Sequence, residues 1–401
     1  MSHAAALVPR EEALLAEGHP WRRLPAVGLG LLLVGLALLA VPGAGGRERA
    51  LAAWLVAFVF FLTIALGCLY FVLMHTAMQG AWGVVVRRVA ENAAATLPLF
   101  ALLFVPIALG LSDLYPWSHA DAGGDVLLRW KRPYLNEGFF LLRAALYFVV
   151  WSAIALWFLR LSRRQDDVTD PALAARLRRW SAPLLIPLAL THTFAAVDWL
   201  MSLDPRWYST IYGVYSFSGS LVGAFAFLAL ATVWLRRAGP VPSAFSREHL
   251  HDLGKLLLTF TVFWAYIGFS QYFLIWYGNL PEETVFFRHR LEGSWGNASV
   301  FLAVGHFAAP FLFLLPRATK RNPVALSAVA VWLLLMHLLD VYWLVVPSVG
   351  AAGPRPGLAD AGALLAVGGA FLGAFGWLTR RHPLLPVGDP RLAESMAFEN
   401  V

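Results

Sequence analysis

Long apolar runs alternate with short polar connections along this chain. A run of about 20 apolar residues crosses a bilayer as a helix, because a helix satisfies its own backbone in lipid. Runs of that length predict spans at Pro25–Ala40, Leu51–Thr76, Ala94–Asp113, Leu135–Leu161, Trp180–Leu203, Tyr212–Leu235, Asp252–Tyr277, Trp295–Leu315, Val324–Val346 and Asp360–Leu378. The connections carry Pro, Gly and charge, as in GAGGRER, RRAGPVPSAFSRE, RATKRNP and GAAGPRPG, which end helices. The pattern predicts an all-α integral membrane fold of about ten transmembrane helices. Residues 1–24 form an N-terminal tail, 25–380 the polytopic membrane domain and 381–401 a C-terminal tail.

Composition agrees with the pattern. Hydrophobic residues make up 59% of the chain and charged ones 14%, with a mean hydropathy of +0.64. No soluble globular fold needs so much apolar sequence. The single cysteine, Cys68, excludes a disulfide framework and a cysteine-ligated zinc or cluster within the chain. The net charge of +7 lies between spans, which argues for membrane orientation and not for nucleic-acid binding. With the N-terminus inside, 19 of the 31 Lys and Arg residues fall in inner segments and 9 in outer ones. The remaining three, Arg143, Arg160 and Lys255, lie within spans, Arg160 at an inner end. This bias sets both termini in the cytoplasm. The opening MSHAAALVPREEALLAEGHPWRR mixes acids with bases, unlike a signal peptide, and reads as a retained tail. The run RLSRRQDDVTDPALAARLRRW reads as a solvated or headgroup-facing helix. Gly219-x3-Gly223 and Gly369-x3-Gly373 permit close helix approach. Trp and Tyr near span ends read as an interfacial belt.

Ionisable groups inside the spans are costly and mark pairs or pathways. His192 lies near mid-membrane and Asp198 nearer the outer face. Six residues place them about 240° apart, so they do not share a helix face. His337 and Asp340, three apart, share a face and can interact. Asp113 ends span three at the outer side. Tyr266 and Gln271 lie in span seven, His306 near the middle of span eight, and His75 at the inner end of span two. Carboxylates thus gather towards the outside and histidines lie deeper, as in a proton route. The alternative for Asp113 is a helix cap or an Arg pair, and for His306 a hydrogen-bonded core histidine. Two of His192, His306 and His337 could ligate a b-type haem, but no helix spaces two histidines for stacked haems. The chain is expected to bind no cofactor or metal itself.

The segments THTFAAVDWLMSLDPRWYSTIYGVY, HDLGKLLLTFTVFWAYIGFSQYFLIWYGNLPEETVFFRHR, GHFAAPFLFLLPRATKRNP and LLDVYWLVVP resemble the NrfD-like (polysulfide reductase membrane subunit) family. Within it they resemble the F-type membrane subunits of bacterial alternative complex III. They cover most of residues 180–347. The resemblance implies two four-helix bundles, spans two to five and six to nine, with spans one and ten flanking. It implies a subunit without redox centres in a quinol:cytochrome c oxidoreductase of the bacterial cytoplasmic membrane. Its partners would be a second NrfD-like membrane subunit, an iron–sulfur subunit and haem c subunits, with quinol or menaquinol as donor. By the same resemblance His192 and Asp198 occupy the helix that carries a quinol-site His and Asp in the companion C subunit. F-type subunits lack a complete quinol pocket, so proton translocation or a quinone-like pocket is the implied role. The outer segment GNLPEETVFFRHRLEGSW, with Glu282, Glu283 and Arg288, would contact the extracytoplasmic partners. Two other readings stay open: a purely structural anchor of that complex, and an independent secondary transporter.

Overall fold

The computed structural model describes residues 8–41, 46–119, 124–168, 170–350 and 353–400. Among the described residues all regular structure is helical. Within them ten helices are long and apolar enough to cross a membrane: Pro20–Leu39, Gly46–Met78, Val84–Leu109, Glu137–Gln165, Pro171–Leu203, Tyr212–Ala238, Arg247–Gly278, Gly293–Leu314, Pro323–Val349 and Leu358–Thr379. We number them span one to span ten. The ten-span, all-α membrane architecture expected from the apolar runs is therefore present.

Spans two to five close one ring of contacts and spans six to nine a second. Spans two and six are buried almost throughout and pack on each other at the centre, joining the two bundles. Gly67 makes that approach possible, since a Cβ there would lie 2.1 Å from the Ser220 carbonyl oxygen. Spans one and ten pair with each other, and span ten leans on span two. Their backbones touch at Gly28, where a Cβ would lie 2.5 Å from the Gly369 carbonyl oxygen, and at Gly35 against Ala366. Gly369 thus acts as the small-xxx-small pattern suggests. Outward faces expose Leu29, Leu33, Phe269, Leu274 and Leu312, an apolar surface suited to lipid.

Polar side chains start several spans. Asn136 accepts from Phe139 N, Asp170 from Ala172 N, Ser246 from Glu248 N, and Asn322 from Val324 N. Prolines interrupt others. Span three breaks near Pro98 and Pro106 into short helices. In span eight, Pro310 cannot donate to the carbonyl of His306, and the chain takes a π-helical turn at Ala303–Ala308.

Both described tails cover one end of the bundles. Leu384 N donates to Ala13 O across them at 2.9 Å, and Val8, Leu15, Leu385 and Leu392 are buried. Here two sequence expectations are corrected. Span three begins at Val84, ten residues before the expected Ala94, so VRRVAEN is helical and buried. Part of the charged run after span four is also buried. Arg88 pairs with Asp166 (2.8 Å) and Glu91 (3.1 Å), and Arg87 pairs with Glu91 (3.0 Å) and Asp389 (2.7 Å). A buried charge is tolerated when paired, and here the tail supplies Asp389. Burial alone would raise the Asp389 carboxyl, but Arg87 holds it below the usual carboxylate range. Burial, with Arg163, Arg88 and Arg10 nearby, lowers the His382 imidazole to about 4.

Candidate functional site

Two buried carboxylates lie away from the tails, one in each bundle, and their surroundings differ. In the first bundle, span five carries Asp198 and span four carries Arg143 and Tyr147. Asp198 accepts from Arg143 Nε (2.8 Å), Arg143 Nη2 (2.9 Å) and Tyr147 Oη (2.7 Å). Arg143 also donates to Tyr134 O (2.9 Å) and stacks over the Tyr134 and Phe139 rings. The geometry is a bidentate fork with a third donor, which satisfies the carboxylate's hydrogen bonding. Arg143 could have been found, since it is one of three basic residues inside the expected spans and the one farthest from a span end. Pairing it with Asp198 needed the packing of span four on span five.

In the second bundle Asp340 is buried without a cation beside it among the described residues. Its oxygens accept from two neutral donors, Tyr215 Oη (2.5 Å) and Trp264 Nε1 (3.1 Å). The His306 ring lies against Trp264 with centroids 3.8 Å apart. Neither His306 nitrogen has a hydrogen-bond partner among the described residues. The π-helical turn aims this ring inward, and such turns recur at functional sites.

His337 departs from expectation. It shares a face with Asp340, but no hydrogen bond joins them among the described residues. His337 Nε2 instead pairs with Thr63 Oγ1 of span two at 2.8 Å. Its ring fills the space that Gly219 and Gly223 leave on span six. A Cβ at Gly219 would lie 3.1 Å from the ring, and one at Gly223 3.0 Å. The Gly219-x3-Gly223 pattern therefore makes room for an imidazole.

A cleft of about 600 Å³ opens beside Asp340's donors. Tyr215 and Trp264 form part of its wall, with Gln271, Phe287 and Ser299. Gln271 is buried, and its Oε1 has no hydrogen-bond partner among the described residues. Tyr266 also lines the cleft but lies on the exposed face of span seven. The lining is almost wholly apolar with few polar groups, the character of a small-molecule site.

The remaining candidates are scattered. His192 is buried and pairs through Nε2 with Ser216 Oγ at 3.0 Å, not with Asp198. Asp113 pairs with Arg47 at 2.9 Å, the alternative weighed for it. His75 is buried at the tail end against Phe71 and Trp82, in space that Gly83 leaves. Glu282, Glu283 and Arg288 belong to the short helix Pro281–Leu291, which turns Phe286, Phe287 and Arg290 inward. Glu282 and Arg288 are exposed, and Arg288 pairs with Glu292 at 2.7 Å. Arg290 donates to the carbonyls of Phe286, Trp343 and Leu344, covering the end of span nine. Burial lowers its guanidinium to about 10, so it stays charged at neutral pH.

The residues that matter most here and that sequence reasoning missed are Arg143, Tyr147, Tyr215, Trp264, Thr63 and Ser216. Aromatic and hydroxyl residues are common in any membrane helix, so only their placement singles them out. Among the described residues no group of three or more His, Cys, Asp or Glu is placed to hold a metal ion. Comparison with models of known protein families and with curated proteins returns no match to this chain.

Proposed function

We propose that the chain is an F-type membrane subunit of a bacterial alternative complex III, with a proton-exchanging carboxyl in its second bundle. In this reading it binds no redox centre and lies in the cytoplasmic membrane with both tails inside. It works beside a second NrfD-like subunit, an iron–sulfur subunit and haem c subunits that take electrons from a quinol. The observation that carries the proton role is Asp340, buried between Tyr215 and Trp264 with no counter-cation among the described residues, behind the wall that these two side chains form in a cleft reached from the lipid face. A fixed unpaired charge there would be costly, so the carboxyl is suited to exchange a proton. The cleft has the size and apolar lining for a quinone-like ring, and Gln271 offers a free acceptor. Asp198, by contrast, is suited to hold the first bundle together, which favours a structural role for that residue. Glu282, exposed, and Glu283, half-buried, lie at the end opposite the tails, where the extracytoplasmic partners would dock.

The test is purification of the tagged chain from its native membranes, with identification of co-purifying subunits and a haem spectrum. Haem c and iron–sulfur subunits in fixed ratio are the expected result. A chain that purifies alone, from membranes known to be intact, removes the complex and favours an independent transporter.

A further inference from the structure

The two bundles meet at spans two and six, and the seam is not wholly apolar. A void of about 20 Å³ lies there, lined by Thr63 of span two, His192 of span five and Ser216 of span six, with apolar neighbours. Space of that size holds one water when two or more polar groups face it. Thr63 and Ser216 each already pair with a histidine, but on opposite sides. Ser216 Oγ lies 3.0 Å from His192 Nε2, and Thr63 Oγ1 lies 2.8 Å from His337 Nε2. The far nitrogens, His192 Nδ1 and His337 Nδ1, are buried and have no hydrogen-bond partner among the described residues.

We propose that one water in this void completes a proton link between the bundles, from His192 to His337. This rests on the proton-transfer reading above. In the relay, protonated His192 releases its Nε2 proton to Ser216 Oγ, and Ser216 passes its own hydroxyl proton to the water. The water passes one proton to Thr63 Oγ1, and Thr63 passes its hydroxyl proton to His337 Nε2. Each N–H or O–H bond formed replaces one broken, and the net change is one proton moved. Thr63 can turn for this step. Its hydroxyl otherwise donates to Phe60 O at 2.9 Å, and a hydroxyl has one proton and two acceptor sites. His192 Nδ1 and His337 Nδ1 are then the entry and exit, and the exit lies on the helix face that carries Asp340. The first bundle thereby serves as an access route for the second, although Asp198 is locked by Arg143.

The test combines two readouts on the full chain. Nitrogen-15 histidine solid-state NMR in vesicles, with His192 and His337 assigned by substitution, reports water contact at His192 and proton exchange with water at His337. Proton movement per quinol oxidised, in vesicles of the purified complex, reports the route. In the wild type the His192 ring contacts water, and His337, which does not line the void, exchanges its Nε2 proton with water through Thr63. Thr63→Val keeps the shape and loses the hydroxyl: exchange at His337 and the proton movement should both be lost, with the complex still assembled. Thr63→Ser should restore both. Absence of water at His192 or of exchange at His337 overturns the link, and so does unchanged proton movement in assembled Thr63→Val. If the wild type shows no quinol-driven turnover, the oxidoreductase reading fails by itself. The water contact at His192, and the exchange at His337 with its loss in Thr63→Val, then decide the link.

Discussion

Replacing Arg143 with Met should destabilise the first bundle more than replacing both members of its ion pair. Among the described residues Arg143 supplies two of the three hydrogen bonds that Asp198 accepts, at 2.8 and 2.9 Å, and its only ion pair. In Arg143→Met, Asp198 Oδ1 loses its donor, and a carboxylate with 0% exposure keeps only Tyr147. Removing one partner of such a buried pair costs about 3–5 kcal/mol. Asp198→Asn is milder, because Arg143 keeps its bond to Tyr134 O and its place over two aromatic rings. The unmatched donors cost about 1–3 kcal/mol. In the double variant Arg143→Met with Asp198→Leu no charge is left unpaired, and apolar replacement of a buried pair is often close to neutral. The double variant should therefore be more stable than Arg143→Met alone. The measurement is the unfolding free energy of the purified chain in mixed micelles for the wild type and all variants. If the two substitutions in the double variant simply add, the pair is not coupled and the reasoning fails.

Three further outcomes follow from particular contacts. His382 is lowered to about 4 in the fold and would titrate near 6.5 unfolded, so its contribution is full above about 6.5 and is lost as pH falls towards 4. Hydrogen exchange of residues 381–400 should therefore rise as pH is lowered through that window, after correction for intrinsic rates, and His382→Gln should flatten the change. Gly223→Ala places a Cβ 3.0 Å from the His337 ring and 3.2 Å from Ile64, an overpacking that costs about 1–3 kcal/mol and should be seen in the same unfolding assay. Replacing Glu282 and Glu283 with Lys should weaken co-purification of extracytoplasmic partners without changing the stability of the chain, and a full yield of intact complex would remove that docking surface.

The membrane architecture was legible because apolar run length alone fixes spans in lipid. Its errors have physical causes. Span three was begun too late because Arg87, Arg88 and Glu91 read as polar connection. They are helical and buried because Glu91 pairs with both arginines, and Asp389 and Asp166, distant in sequence, pair with Arg87 and Arg88. The same long-range pairing hid the site. Asp198 and Asp340 look alike as single acids in apolar helices. One meets an Arg from span four and the other a Tyr from span six and a Trp from span seven. Periodicity placed His337 and Asp340 on one face correctly. It could not show that the ring turns to Thr63, because that contact crosses from one bundle to the other.

The central claim is that the exchangeable proton belongs to Asp340 and not to Asp198. Its most direct test is proton uptake and release during quinol turnover, in vesicles of the purified complex, for Asp340→Asn and Asp198→Asn side by side. Asn keeps the size of either side chain but cannot carry the proton. Asp340→Asn should assemble and lose coupled proton movement, whereas Asp198→Asn should keep the wild-type number of protons per quinol even if it is less stable. Unchanged proton movement in Asp340→Asn, or its loss in Asp198→Asn alone, would contradict it.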